Sequence, residues 1–164
     1  MALAVTHVIL TIVLLDLARH YIFGTKKFPR YLLVIGGIAG LAPDLDVPLT
    51  WLYNFVTGAG INLHGAFTHS LIFPLLSLAA AVTFHSRKNI KWARIFYVLT
   101  FGLFMHALLD CTFGGYKTFL WPFLVTPSFC PQFGINNYAT SIDAIILVAW
   151  LLHEELHKKI KDYF

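Results

Sequence analysis

From Ala93 to Phe113 the chain stays apolar for long enough to cross a bilayer, which takes about 20 residues. Near the far end of that run, in FMHALLDCT, stand His106 and Asp110, four residues apart. In a helix four residues advance about 6 Å and rotate by only about 40°, so both side chains share one face, one above the other. An imidazole and a carboxylate stacked in this way can hold one metal ion. Ionisable groups at membrane depth are costly and mark functional sites. The plainer alternative is a His–Asp hydrogen bond that only locks two helices together.

The rest of the chain has the same character. Charged residues make up 12%, against about 25% in soluble domains, and 58% of residues are hydrophobic. That balance specifies an integral membrane protein whose first partner is the lipid bilayer. The length of 164 residues fits one domain, residues 1–164. The net charge of +4 is not a nucleic-acid footprint, because the basic residues form short clusters beside apolar runs. No nucleic-acid partner is expected. The two cysteines, Cys111 and Cys130, form neither a disulfide framework nor a CxxC zinc site. They can pair only if the fold brings their Cα atoms within about 7 Å. The first apolar run has no Lys or Arg before it and does not read as an ordinary signal peptide.

Five apolar runs follow one another: Leu3 to Phe23, Tyr31 to Ala42, the run that HGAFTHS opens and that reaches Phe84, Ala93 to Phe113, and Ser141 to Leu156. They predict an all-α bundle of about five membrane helices with a His/Asp polar pocket at one end. In the second run Gly36 and Gly40 form a GxxxG, which lets a neighbouring helix approach closely. Leu49 to Leu63 reads as a turn-rich connection with interfacial Trp51 and Tyr53. Thr68 or Ser70 is placed to cap the third run. Of the 12 Lys and Arg, all but Lys117 fall at Arg19, in the loops at 26–30 and 87–94, or in the tail at 158–161. The positive-inside bias therefore predicts a cytoplasmic C-terminus.

That topology carries a consequence for the polar residues. His7, Asp44, Asp46, His64, His69, His106, Asp110 and Asp143 all fall at the outer, extracytoplasmic ends of their runs. Imidazole and carboxylate without thiolate suit zinc first, and manganese or iron where more oxygen is supplied. The set is large enough for one to three divalent ions. Two metals about 4 Å apart can clamp the attacking and leaving oxygens of a phosphoester. A spare carboxylate, Asp44 or Asp46, would serve as general base. His69, His106 and Asp110 are expected to converge on the best-held ion, with His64 and Asp143 at the edge of the pocket. Asp16 lies about 14 Å along the first helix from His7 and on its opposite face, so Arg19 or His20 is its expected partner. His85, His153 and His157 read as interfacial histidines.

The series TH near the N-terminus, LAPDLDVP, HGAFTHS, HALLDCT and WPF resembles a family of membrane-bound metal-dependent hydrolases that includes a LexA-regulated inner-membrane protein. The resemblance runs from about residue 6 to residue 145 in the family's motif order. The family is similar in its His/Asp pattern to zinc-dependent phospholipase C and to single-strand-specific zinc nucleases. It implies that His7, one of the acids at 44 and 46, His69, His106 and Asp110 are metal ligands, with Asp143 a looser match. One departure stands out: the family commonly reads HRGFTHS, and here Gly65 and Ala66 replace its Arg and Gly. The absent guanidinium would clamp phosphate or carboxylate.

The resulting expectation is a metal-dependent hydrolase acting on a phosphoester or related bond of a lipid-like substrate at the membrane surface. The aromatic loop at 119–129 would dip into the interface and admit that substrate. Two other classes use the same residues: a metal-ion transporter or channel, and an inactive scaffold that keeps a structural metal. A transporter needs polar groups through the bilayer, and below the outer cluster only Asp16 qualifies.

Overall fold

The structure is a computed structural model that describes residues 4–62, 64–65, 67–112, 118–123, 130 and 139–158. Among the described residues there are six α-helices: α1 (Ala4–Ala18), α2 (Tyr31–Leu41), α3 (Asp46–Thr57), α4 (Ile72–Ser86), α5 (Ile90–Thr112) and α6 (Ala139–Lys158). A π-helical turn, Arg19–Phe23, extends α1, and a 3₁₀ turn, Ala42–Leu45, joins α2 to α3. Among the described residues there is no strand. Three helical runs are long and apolar enough to cross a membrane: Ala4–Phe23, Tyr31–Thr57 and Ile90–Thr112. The shorter α4 is apolar as well, whereas Asp143, Glu154, Glu155 and Lys158 interrupt the apolar character of α6.

Helix α5 is the centre of the bundle and packs on α2 and α4, while α2 packs on α1, and α1 on α6. Contacts fix the directions. His7 and Thr11 meet Gly40 while Leu15 meets Gly36, so α1 and α2 are antiparallel. Gly36 meets Val98 while the Gly40 carbonyl meets His106, so α2 and α5 are parallel. Thr6 bonds Asp143 and Asp16 bonds Trp150, so α6 runs parallel to α1. Helix α4 returns on α5 across the short turn at 87–89. The five bundle helices therefore alternate in direction along the chain.

Glycine sets the spacing. A Cβ on Gly40 would lie 2.8 Å from the His7 carbonyl oxygen, and one on Gly102 would lie 2.6 Å from the Ala39 Cβ. Three backbones thus approach where the sequence expects only the GxxxG of α2. Leu15, Phe28, Leu32, Leu33 and Val98 pack together as the buried apolar core. At one end Phe23, Lys27, Phe28 and Arg94 line a common cleft, which gathers two basic segments there.

Two expectations need correction. The segment predicted as a turn-rich connection from Leu49 begins instead as helix α3, which ends only at Gly58 in the left-handed region (φ 67°). Pro48 lies in its first turn, where a missing N–H costs no intrahelical bond. Trp51, Leu52, Tyr53, Phe55 and Val56 are exposed, as befits an interfacial element. Neither Thr68 nor Ser70 is the cap of α4: the helix begins at Ile72 with Leu71 at the N-cap and no side-chain cap, Ser70 Oγ accepts the Ile72 amide from one residue further out, and Thr68 is engaged with Asp46.

Candidate metal centre

The end of the bundle opposite the basic segments holds the polar pocket. Helix α1 supplies His7, the 3₁₀ turn Asp44, the first residue of α3 Asp46, the loop before α4 His64 and His69, and the last two turns of α5 His106 and Asp110. The 3₁₀ turn matters because Pro43 and the tighter winding stop α2 there, aiming Asp44 back at α5. His7, His69, His106 and Asp110 are each at most 2% exposed, and Asp44 is 17% exposed at its side chain, so the opening lies on the Asp44 side.

Four contacts alternate nitrogen and oxygen around one point. His69 Nε2 lies 3.5 Å from Asp44 Oδ1 and 3.2 Å from Asp110 Oδ2. His106 Nε2 lies 3.6 Å from Asp44 Oδ1 and 3.5 Å from Asp110 Oδ2. Two ligands each about 2 Å from a tetrahedral ion sit about 3.3 Å apart, so this spacing fits a shared cation. Asp110 also turns its other oxygen to His7, whose Nε2 is 3.5 Å away and whose ring stacks on His106 at 3.9 Å. Ligand atoms within 4.8 Å of one another define two triads, His7–His106–Asp110 and Asp44–His64–His69. With Asp110 between them, the pocket can accommodate one ion or two.

Hydrogen bonds fix which nitrogens face inward. His106 Nδ1 lies 2.7 Å from the Gly40 carbonyl, which can only accept. The ring proton is therefore on Nδ1, and the Nε2 lone pair points at Asp44 and Asp110. His106 Nε2 has no hydrogen-bond partner among the described residues, and neither do the two ring nitrogens of His7. Thr68 donates to Asp46 Oδ2 at 2.6 Å and so accepts from His69 Nδ1 at 3.0 Å. That again turns Nε2 inward. Histidines that ligate metals donate their other nitrogen to a backbone carbonyl or a polar group in this fashion. Lone pairs facing carboxylate oxygens in a water-poor pocket are stable only around a positive charge. The residues fit a divalent metal, and zinc or a similar borderline ion matches the donor set.

The two acids of APDLDVP separate in role. Asp44 faces His69 and His106. Asp46 has both oxygens engaged: Oδ1 with His64 Nδ1 at 2.7 Å, and Oδ2 with the Gly65 amide at 3.0 Å and with Thr68. It ties the loop before α4 to the start of α3. Gly65 has φ 76°, a conformation that glycine adopts freely and an arginine would not. The place of the absent guanidinium is thus a left-handed turn whose amide holds Asp46. Asp143 is buried and accepts from Thr6 at 2.9 Å, so it adjoins the pocket through the residue before His7. His64, expected at the edge, belongs to one of the triads. Thr68 and the Gly40 carbonyl are positioning groups that residue type alone does not reveal.

Cys111, next to Asp110, is disulfide-bonded to Cys130, with Cα atoms 4.9 Å apart. Residues 118–121 fold onto the loop before α4: Leu71 N donates to the Phe119 carbonyl, and Ser70 Oγ donates to that of Trp121. Trp121 and Phe123 are exposed. The remainder of the expected aromatic loop, 124–129, lies outside the described residues, as do Lys117, Ala66 and the end of the basic tail. Asp16 pairs with Arg19 and His20 as the sequence suggests. His153, read as interfacial, instead packs beside His20 and Glu154.

Residues 1–160 match the family described as YdjM inner membrane protein. No curated protein and no solved structure matches the chain.

Proposed function

The chain belongs to the YdjM inner membrane protein family, and we propose that it is a membrane-bound metal-dependent hydrolase acting on a phosphoester of a lipid-like or otherwise amphiphilic small molecule. One observation carries the reading: two histidines held with Nε2 inward meet two carboxylate oxygens at 3.2 to 3.6 Å. A divalent metal in such a site lowers the pKa of a water and polarises a phosphoryl oxygen. His69, His106 and Asp110 would hold it, with His7 on the far oxygen of Asp110 for a second ion. Asp44 is the most exposed member and therefore the one that can meet substrate, accept the proton of the attacking water and pass it to solvent. Asp46 positions His64 and the loop that carries His69.

The surroundings favour an amphiphile. An apolar cleft of about 170 Å³ lies on the lipid side of α5, between Leu71, Phe104, Ala107, Leu108, Cys111 and Phe119. Ala107 and Cys111 directly follow His106 and Asp110, so a chain seated there would keep its headgroup at the pocket. The basic bias and the disulfide support a reading with the pocket on the extracytoplasmic face, since structural disulfides persist in oxidising compartments. The transporter reading is weaker. Along α1, between the pocket and Asp16, Thr11 is the only buried polar residue, and it packs against Gly40.

The test is hydrolysis by detergent-purified protein, loaded with zinc or stripped with chelator, of chromogenic amphiphilic phosphodiesters and phosphomonoesters. The expected result is metal-dependent turnover that Asp44→Asn abolishes. A zinc-loaded protein that turns over neither ester class would overturn the hydrolase and leave the scaffold.

A further inference from the structure

The basic end of the bundle holds a second cluster, built from α1, its π-helical turn and α6. Asp16, His20, His153 and Glu154 each offer a ligand atom within 4.8 Å of the others. Asp16 and Glu154 are essentially buried. On each helix the cluster uses the i, i+4 spacing seen at His106 and Asp110: Asp16 with His20, and Trp150 with Glu154. Asp16 Oδ1 accepts from Arg19 at 3.2 Å and Oδ2 from Trp150 Nε1 at 3.1 Å.

The decisive group is His20. Its side chain is 92% buried, and its Nδ1 lies 2.9 Å from the Asp16 backbone carbonyl, an obligate acceptor. The ring proton is therefore on Nδ1. Nε2 carries its lone pair toward Glu154 Oε1 at 3.7 Å and has no hydrogen-bond partner among the described residues. His153 Nδ1 is 3.9 Å from the same oxygen, and its Nε2 meets the Tyr21 hydroxyl at 3.0 Å. A buried lone pair opposite a carboxylate oxygen, with a second carboxyl beside it, is held apart by repulsion unless a cation joins them. A single proton shared by Asp16 and Glu154 would leave His20 unsatisfied, whereas one divalent ion satisfies all three. The π-helical turn Arg19–Phe23 begins here, and such turns recur at functional sites.

We infer that Asp16, His20, His153 and Glu154 form a second divalent-cation site, for zinc or a similar borderline metal, at the end of the bundle opposite the first. His20 Nε2, His153 Nδ1 and Glu154 Oε1 are its ligands, with Asp16 completing the set and tied to Arg19 and Trp150. His153 is 18% exposed at its side chain and gives the ion its way in. The inference is independent of hydrolysis at the other end.

The test counts cobalt. Detergent-purified full chain is equilibrated with Co²⁺, freed of excess, and assayed for cobalt per chain and for visible d–d absorption. The His20→Gln/Glu154→Gln double variant should bind one equivalent fewer than wild type, and Asp110→Asn should still bind cobalt with a tetrahedral spectrum. Should the double variant not elute as a single species, His153→Ala, a change at a part-exposed position, should weaken one class of cobalt about 10-fold or more. A His20→Gln/Glu154→Gln or His153→Ala protein that elutes as a single species and matches wild type in cobalt content and affinity, or an Asp110→Asn protein that binds none, overturns the second site.

Discussion

Substituting Gly102 by alanine tests the link between helix spacing and the metal centre without touching a ligand. The new methyl would sit 2.6 Å from the Ala39 Cβ, 2.7 Å from the Gly36 carbonyl oxygen and 2.9 Å from the Gly40 amide nitrogen, all but the first on backbone that cannot swing aside. Ordinary contact begins at 3.4 Å, so α2 and α5 must part by about 0.8 Å to relieve an overpacked contact. Moving the two helices apart by that much stretches the 2.7 Å bond from His106 Nδ1 to the Gly40 carbonyl toward about 3.5 Å, where it no longer counts as a hydrogen bond. Overpacking costs about 1–3 kcal/mol, and the lost bond adds about 1 kcal/mol. The freed imidazole should also lose about 10- to 100-fold in metal affinity, as outer-shell losses do. Thermal unfolding in detergent and cobalt titration read the two effects separately. Unchanged melting together with unchanged cobalt affinity would refute the idea that glycine contacts position His106.

Four further outcomes are expected. His106→Ala and Asp110→Ala should each weaken zinc binding by at least the roughly 100-fold upper range of outer-shell losses, measured as metal retained after gel filtration; full retention in both would remove the centre. Asp46→Ala should cost about 2–4 kcal/mol, because the Gly65 amide, Thr68 and His64 lose their acceptor together, and a melting temperature equal to wild type would contradict this. Thiol labelling of unfolded protein should find Cys111 and Cys130 protected until reductant is added; labelling without reductant would show the pair open. A reporter fused after Phe164 should be active only in the cytoplasm, and activity outside would invert the bundle.

Much of the pocket was legible because its members sit at the same end of successive apolar runs, and because His106 and Asp110 repeat at helical spacing. The alternation of α1, α2, α4, α5 and α6 follows from the same runs. Helix α3 was not legible: Pro48, Gly58 and Gly60 look like turn residues, and only the structure reveals that the proline occupies a harmless first-turn position. The separation of Asp44 from Asp46 depends on the 3₁₀ turn, which directs the two carboxylates to different partners. Glu154 was missed because its partner Asp16 is far off in sequence and had nearer candidates in Arg19 and His20. The i, i+4 pair Trp150 and Glu154 in the last run was the available signal.

The order in which the ligands emerge constrains how the protein can be made. His7 is synthesised first and Asp110 last of the ligands, and at about 5–20 residues per second the interval is about 5–20 s. During it His7, and then Asp44 and His69 as each is made, lack the helix that completes their pocket. Gly102, on which the seating of α5 depends, arrives only one turn before His106. The nascent chain therefore passes through a stage in which polar groups face lipid, and early metal would find an incomplete set of donors. Loading belongs after the last turn of α5 has seated against α2, and chains stalled before residue 106 should be substrates for membrane quality control rather than for metal.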